Sequence, residues 1–153
     1  MERSIDITGE NKYFTLMQFR SLSFEDTVNF GEKIGRSLKG GEVLILSGVL
    51  GSGKTAFTKG VARALRVEDP VTSPSFSILN LYGGTVRLFH FDFYRIDSLS
   101  EMEDLLEDYI YRTDGVTVIE WGEDVCTTLD EYYFVRFEIK GGSRTITVER
   151  RGG

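Results

Sequence analysis

Apolar residues recur along this chain in three rhythms, and each predicts a type of element. Compact apolar runs rich in β-branched residues occur at Val43–Ser47 and Gly115–Glu120, and both read as strands, the second as a buried one. Alternation at period two runs through residues 134–140 and 144–150 on either side of Gly141-Gly142, which predicts a hairpin. Two β-rich runs, 77–82 and 85–92, meet at Gly83-Gly84 and predict another. Residues 12–20 alternate loosely through Phe14, Leu16, Gln18 and Arg20 and read as an edge strand.

Helical spacing appears in three further stretches. Phe24, Val28, Gly31, Ile34 and Leu38 share one face, with Ser23 placed to cap the first turn and Asp26 favourable within it; Lys39-Gly40-Gly41 ends that helix. Phe57, Val61, Ala64 and Leu65 repeat at the same period. Residues 98–112 give the clearest helix, with Met102, Leu105, Leu106, Tyr109 and Ile110 on an apolar stripe. Opposite lie Glu101, Glu103, Asp104, Glu107 and Asp108, either a solvated face or an acidic docking surface. Pro70 and Pro74 rule out a helix interior between 68 and 76, so that stretch is an extended loop.

No repeat, linker or low-complexity segment interrupts the 153 residues, which predicts one domain over 1–153. Its class is α/β: a three-layer sandwich, with helices on a mixed central sheet and antiparallel hairpin additions.

Chemistry concentrates where the first apolar strand ends. Gly48-Val49-Leu50-Gly51-Ser52-Gly53-Lys54-Thr55 matches the phosphate-binding pattern G-x-x-x-x-G-K-[ST], in the strand–loop–helix setting that the pattern requires. Glycines let successive amides converge on one concavity, and the following helix adds its positive end. Leu50, Gly51, Ser52, Gly53, Lys54, Thr55 and Ala56 are the candidate nucleotide contacts. Lys54 supplies charge to the terminal phosphates, and the Thr55 hydroxyl is placed to ligate Mg²⁺. The arrangement predicts a small P-loop NTPase.

Other residues refine that reading. Gly115–Glu120 followed by Trp121 is an apolar strand ending in an acid, the form of a Walker B element whose carboxylate holds the metal or its water shell. Asp92 closes the run 85–92 and either binds metal through water or orients an attacking water. His90, two residues earlier, reads as a core side chain before it reads as a proton shuttle. Thr72, Ser73 and Ser75 are candidate switch residues that reach the γ-phosphate, or else turns within a stiffened connector. Trp121 either packs in the core or touches nucleotide or partner. Arg95 is a candidate arginine finger or a structural ion pair. Asn11-Lys12 begins a guanine-reading motif, but Phe14 stands where its Asp belongs, which disfavours GTP.

Composition narrows the partners. Net charge is −6 with a pI near 4.9, which leaves direct nucleic-acid binding unsupported. Lys140, Arg144, Arg150 and Arg151 near the C-terminus read as a solvated tail. One Cys, Cys126, and one His rule out an intrachain disulfide and a structural zinc site. No signal peptide or membrane-spanning run is legible, so a cytoplasmic protein is expected.

With these residues in hand, the chain resembles the TsaE (formerly YjeE) family. The resemblance covers roughly residues 23–123 and rests on four stretches: Gly48 to Thr55, Thr72-Ser73-Pro74-Ser75-Phe76, His90-Phe91-Asp92-Phe93-Tyr94-Arg95 and Ile119-Glu120-Trp121. Val49 departs from it, the family typically having Asp there. The resemblance implies a slow ATPase that uses ATP and Mg²⁺ and acts with TsaD and TsaB. Together they would place threonylcarbamoyl on adenosine 37 of tRNAs reading ANN codons, with tRNA met through the complex. It further implies Thr55 and Glu120 on Mg²⁺, Lys54 on phosphate, Asp92 as a second acid and Trp121 near the site or the partner. The alternatives are a small-molecule or nucleoside kinase, disfavoured by the lack of a helical lid after Glu120, and a module that binds ATP without hydrolysing it.

Overall fold

The computed structural model describes residues 16–152. Its centre is a seven-stranded sheet built from β1 (Leu16–Ser21), β2 (Val43–Ser47), β3 (Leu79–Tyr82), β4 (Arg87–Asp92), β5 (Gly115–Glu120), β6 (Glu131–Lys140) and β7 (Ser143–Gly152), in the order β1-β7-β6-β2-β5-β4-β3. The inner pairs β6·β2, β2·β5 and β5·β4 are parallel, whereas β1·β7, β7·β6 and β3·β4 are antiparallel. Both predicted hairpins therefore form, and each extends the parallel centre towards one edge.

Alternation within the parallel strands sorts side chains into two cores. Leu44, Leu46, Val116 and Val118 face one core, shared with Phe30, Ile34, Phe57 and Val61 of helices α1 (Phe24–Gly35) and α2 (Lys54–Ala64). Val43, Ile45 and Ile119 face the other, with Met102 and Leu106 of α3 (Leu99–Leu106) and Val125 of a 3₁₀ turn (Glu123–Thr127). Helices on both faces of the sheet make the expected three layers. Among the described residues, no helix is long and apolar enough to cross a membrane.

Local signals account for the helix starts. Ser23 Oγ accepts from Asp26 N at 3.0 Å and Asp26 Oδ2 accepts from Leu22 N at 2.9 Å, a reciprocal cap on α1. Ser98 caps α3 in the same way through Glu101 N. The pair α1 and α2 pack so closely that a Cβ on Gly60 would fall 2.0 Å from the Val28 carbonyl oxygen.

Three expectations need correction. The helix over 98–112 stops being regular at Leu106: Tyr111 has φ 61°, and Tyr109 turns in against Phe89 and Phe91, with ring centroids at 5.1 and 5.7 Å. The Tyr111 hydroxyl then accepts from Asp130 N and Glu131 N, so the end of the stripe anchors β6 rather than extending the helix. Phe24 is exposed rather than buried, because it opens α1 at the sheet's rim. The C-terminal cations form no tail, since Arg144, Arg150 and Arg151 all belong to β7. Arg150 pairs with Glu131, while Arg151 pairs with Glu149 and lies over the Phe134 ring. Of the loosely alternating run 12–20, residues from Leu16 onward form β1; Asn11, Lys12 and Phe14 lie outside the described residues.

Gly60→Ala should lower stability by about 2 kcal/mol or more, because the clash is with backbone that cannot rotate away. Calorimetry should show the unfolding midpoint falling by about 5 °C or more for a chain of this size. An unchanged midpoint would mean that the two helices are not in this close contact.

Candidate functional site

Strands β2, β4 and β5 end at the same edge of the sheet, and each delivers one part of a site there. β2 runs directly into the phosphate loop, which closes on α2; Gly53 caps that helix at φ 115°, a conformation that a side chain would strain. In the parallel β4·β5 register Asp92 stands opposite Glu120, so two carboxylates arrive side by side. The loop between α2 and β3 supplies Ser73 and Ser75.

These parts line one cavity of about 360 Å³. Gly51, Gly53, Lys54, Thr55 and Ala56 form one side of it, and Asp92, Glu120 and Trp121 contribute from the strand ends. Leu50 and Phe24 stand at its walls, Leu50 almost fully exposed at 88%. The structure thus brings together Lys54, Asp92, Glu120 and Thr55 with two of the three candidate switch residues. Ser52 does not line the cavity: it is wholly buried, and its Oγ has no hydrogen-bond partner. Thr72 also stays apart, because its amide donates to the Tyr82 hydroxyl and its carbonyl accepts from Asn80, tying it to β3.

Polar contacts fix the charged groups. Lys54 Nζ donates to the Gly48 carbonyl at 2.7 Å and sits 3.9 Å from the centroid of the Trp121 ring. Burial pushes the Lys54 ammonium below the ordinary lysine range, and the charges of Glu120, Glu123 and Asp92 partly offset this. Asp92 accepts from Tyr94 N at 2.9 Å through one oxygen and from Ser75 Oγ at 3.4 Å through the other. His90 Nε2 lies 2.6 Å from Glu120 Oε2, with both side chains buried. Trp121 has φ 58°, uncommon for a bulky residue, and its ring meets Tyr94 edge-on at 5.2 Å.

The donors suit a hard divalent cation. Thr55 offers a hydroxyl, and Asp92 and Glu120 offer carboxylates, within one cavity. Among the described residues, no group of three or more His, Cys, Asp or Glu forms a cage of its own. Magnesium is characteristically held in this sparse way, with phosphate oxygens and water completing the shell.

Several functional contacts were not legible in the sequence. Arg144, on β7, donates to the Gly51 carbonyl at 3.4 Å and so braces the phosphate loop from a distant strand. It also lines a second cavity of about 310 Å³ that includes Leu22, Phe24, Thr27 and Ala56. Glu123 accepts from Ser47 Oγ at 3.1 Å and adds negative charge near Lys54. Arg95 lies over the exposed Phe76 ring at 4.6 Å and does not line the 360 Å³ cavity, contrary to a finger's position.

A parallel strand core, a glycine loop opening a helix, and acids at neighbouring strand ends define a P-loop-like α/β protein. Similarity to known proteins makes the assignment narrower. Residues 21–150 match the model of the family "Threonylcarbamoyl adenosine biosynthesis protein TsaE". A tRNA threonylcarbamoyladenosine biosynthesis protein TsaE from Treponema pallidum is 42% identical over 136 residues, covering 86% of this chain and 99% of that one. The protein of the same name from Bacillus subtilis is 39% identical over 106 residues, covering 69% and 66%. The crystal structure of YdiB from Bacillus subtilis superposes with a TM-score of 0.72 at 29% identity, covering 93% of this chain and 90% of that one. The chain belongs to the TsaE family.

If an anion binds at Lys54, the lowered pKa of the ammonium gives that binding a pH dependence of definite sign. Phosphate oxygens stabilise the ammonium and raise its pKa, so at alkaline pH, short of the ordinary lysine value of about 10.4, binding must take up a proton. Calorimetry with tripolyphosphate in buffers of different ionisation enthalpy should show net proton uptake there. Affinity should weaken as pH rises, and Lys54→Met should abolish the proton-linked part. Buffer-independent heats would place the ammonium away from the anion.

Proposed function

We propose that this chain is a Mg-ATP-binding, slowly hydrolysing ATPase. On this reading it acts with TsaD and TsaB in threonylcarbamoylation of adenosine 37 in tRNAs that read ANN codons. The observation that carries the reading is the single cavity shared by Lys54, Thr55, Asp92 and Glu120. Membership of a family named for threonylcarbamoyl adenosine biosynthesis supports the pathway.

The roles follow from the chemistry of each group. Amides from Leu50 to Ala56 receive the phosphates, with Ser52 contributing backbone only. Lys54 exchanges the Gly48 carbonyl and the Trp121 face for phosphate oxygens. Thr55 and Glu120 would hold Mg²⁺, which when bound neutralises charge on the β- and γ-phosphates. Asp92, already bonded to the Tyr94 amide and Ser75, faces the cavity as the group that orients water. Ser73 and Ser75 extend the rim over the same space, so an ordered phosphate can be sensed through them. The second cavity, with Phe24 and Arg144, supplies room for the nucleoside.

Slow turnover and dependence on partners have a common cause. Among the residues lining the larger cavity, Lys54 is the sole cation, against two carboxylates. An arginine finger supplied in such sites is worth about 1,000-fold or more, and none lines this one. The acidic chain charge agrees with tRNA being held by the partners rather than by this protein.

Purified protein should show weak Mg-dependent ATPase that rises several-fold with TsaD and TsaB. Lys54→Ala should lose ATP binding, whereas Glu120→Ala should retain binding while hydrolysis falls about 100-fold or more, the scale of losing one preorganised electrostatic contact in the transition state. Reconstituted tRNA modification should stop after few turnovers with Glu120→Ala. Continued turnover would make ATP a structural ligand, and a phosphorylated small molecule in place of free phosphate would make the protein a kinase.

A further inference from the structure

His90 is the chain's single histidine, wholly buried on β4, and the roles proposed above leave it unused. It alternates with Leu88 and Asp92, so it shares their face of the sheet and lies beneath the pair of acids that close β4 and β5. Its Nε2 is 2.6 Å from Glu120 Oε2, while Nδ1 is buried with no hydrogen-bond partner.

These facts are uneconomical for a residue that only fills space. A buried polar atom without a partner is destabilising by about 1–3 kcal/mol, and leucine at this position would carry no such penalty. What the imidazole provides in return is one directed N–H. An ionised carboxylate can only accept, so the hydrogen of this contact sits on Nε2. The ring occupies Oε2, so Oε1 is the oxygen that this contact leaves to a ligand, on a residue that lines the cavity together with Thr55. The backbone on either side of Glu120 is equally restrained: its carbonyl accepts from Phe93 N at 2.9 Å, and Trp121 follows at φ 58°. Main chain and carboxylate are therefore held from opposite ends.

We propose that His90 is a positioning residue: it fixes the carboxylate of Glu120 in the one orientation that serves the magnesium ion of a bound nucleotide. This rests on the ATPase reading above. Partners that orient a ligand's carboxylate are worth about 10–100-fold in metal affinity or activity. Loss of His90 should act through Mg²⁺ and kcat, leaving the phosphate loop's grip on ATP intact.

The test uses the full chain and three variants: His90→Leu, His90→Gln and Glu120→Gln. In His90→Leu, kcat should fall about 10-fold or more while KM for ATP stays within about 2-fold, with a higher Mg²⁺ requirement. By calorimetry, ATP in EDTA should bind as it does to wild type, whereas the extra affinity conferred by Mg²⁺ should shrink by a similar factor. His90→Gln, whose amide N–H reaches the same place, should recover most of both. Adding His90→Leu to Glu120→Gln should cost nothing further. Equal kinetics and Mg²⁺ dependence in wild type and His90→Leu would overturn the proposal. So would an equal loss of binding with and without Mg²⁺, which marks a structural role.

Should His90→Leu not fold, the wild-type imidazole decides the matter. A ¹H–¹⁵N spectrum should show one ring in the Nε2–H form, perturbed more by Mg-ATP than by ATP in EDTA; the Nδ1–H form would refute the assignment. A wild-type protein that neither binds nor hydrolyses Mg-ATP overturns the ATPase reading and this inference with it. An active wild type with an indifferent His90→Leu variant overturns only the inference.

Discussion

Two carboxylates and one ammonium line one cavity at the ends of the buried central strands, and their convergence depends on the parallel pairing of β4 with β5 and of β5 with β2. Parallel register is unforgiving here. A slip of one residue on β5 would turn Glu120 towards the α3 core and aim Ile119 at the phosphate loop. The register is held by alternation within the strand: Val116 and Val118 belong to one core and Ile119 to the other. Placement of the acid is thus a by-product of hydrophobic sorting several residues upstream. Function inherits its geometry from packing.

The same sorting supports the opposite wall. α2 presents Lys54 and Thr55 at its first turn because its far side is locked against α1 and the sheet through Phe57, which meets Phe137 edge-on at 5.6 Å and Phe30 at 6.1 Å. Phe137 belongs to β6, and β6 forms one hairpin with β7, the strand that carries Arg144. Antiparallel strands at the edge therefore reach the phosphate loop twice, once through an aromatic ring and once through the Arg144 contact with Gly51. The C-terminal hairpin is a brace for the loop.

What could be read before the fold was known follows from the range of each interaction. The phosphate loop, the Ser23 cap, both hairpins and the acid that ends β5 are set by neighbours within a few residues, and all of them form. The pairing of His90 with Glu120 spans 30 residues and Arg144 with Gly51 spans 93, so neither leaves a local pattern. The end of α3 was misread for a related reason. Tyr109 and Ile110 continue the helical spacing of the stripe in sequence, yet Tyr109 packs on Phe89 and Phe91 and Tyr111 is bonded to the amides of Asp130 and Glu131, contacts that replace another helical turn. Ser52 and Thr72 show the limit of reading side chains from a motif: Ser52 turns its hydroxyl into the interior, and Thr72 is drawn to Tyr82.

Lys54 bears on how such a site stays receptive without filling itself. Its ammonium is buried, which disfavours charge, yet it is kept near a carbonyl and an indole face rather than in an ion pair with Glu120 or Asp92. A direct lysine–carboxylate bridge at this buried position would be costly to break, and an incoming phosphate would have to break it. The chain avoids that trap by engaging each acid elsewhere: Glu120 with His90, and Asp92 with the Tyr94 amide and Ser75. The carbonyl and the indole are weaker partners, which a phosphate displaces at less expense. Engaged in this way, the three charged groups line one cavity without being spent on one another. On the ATPase reading, the ligand completes an electrostatic circuit that the folded chain leaves open.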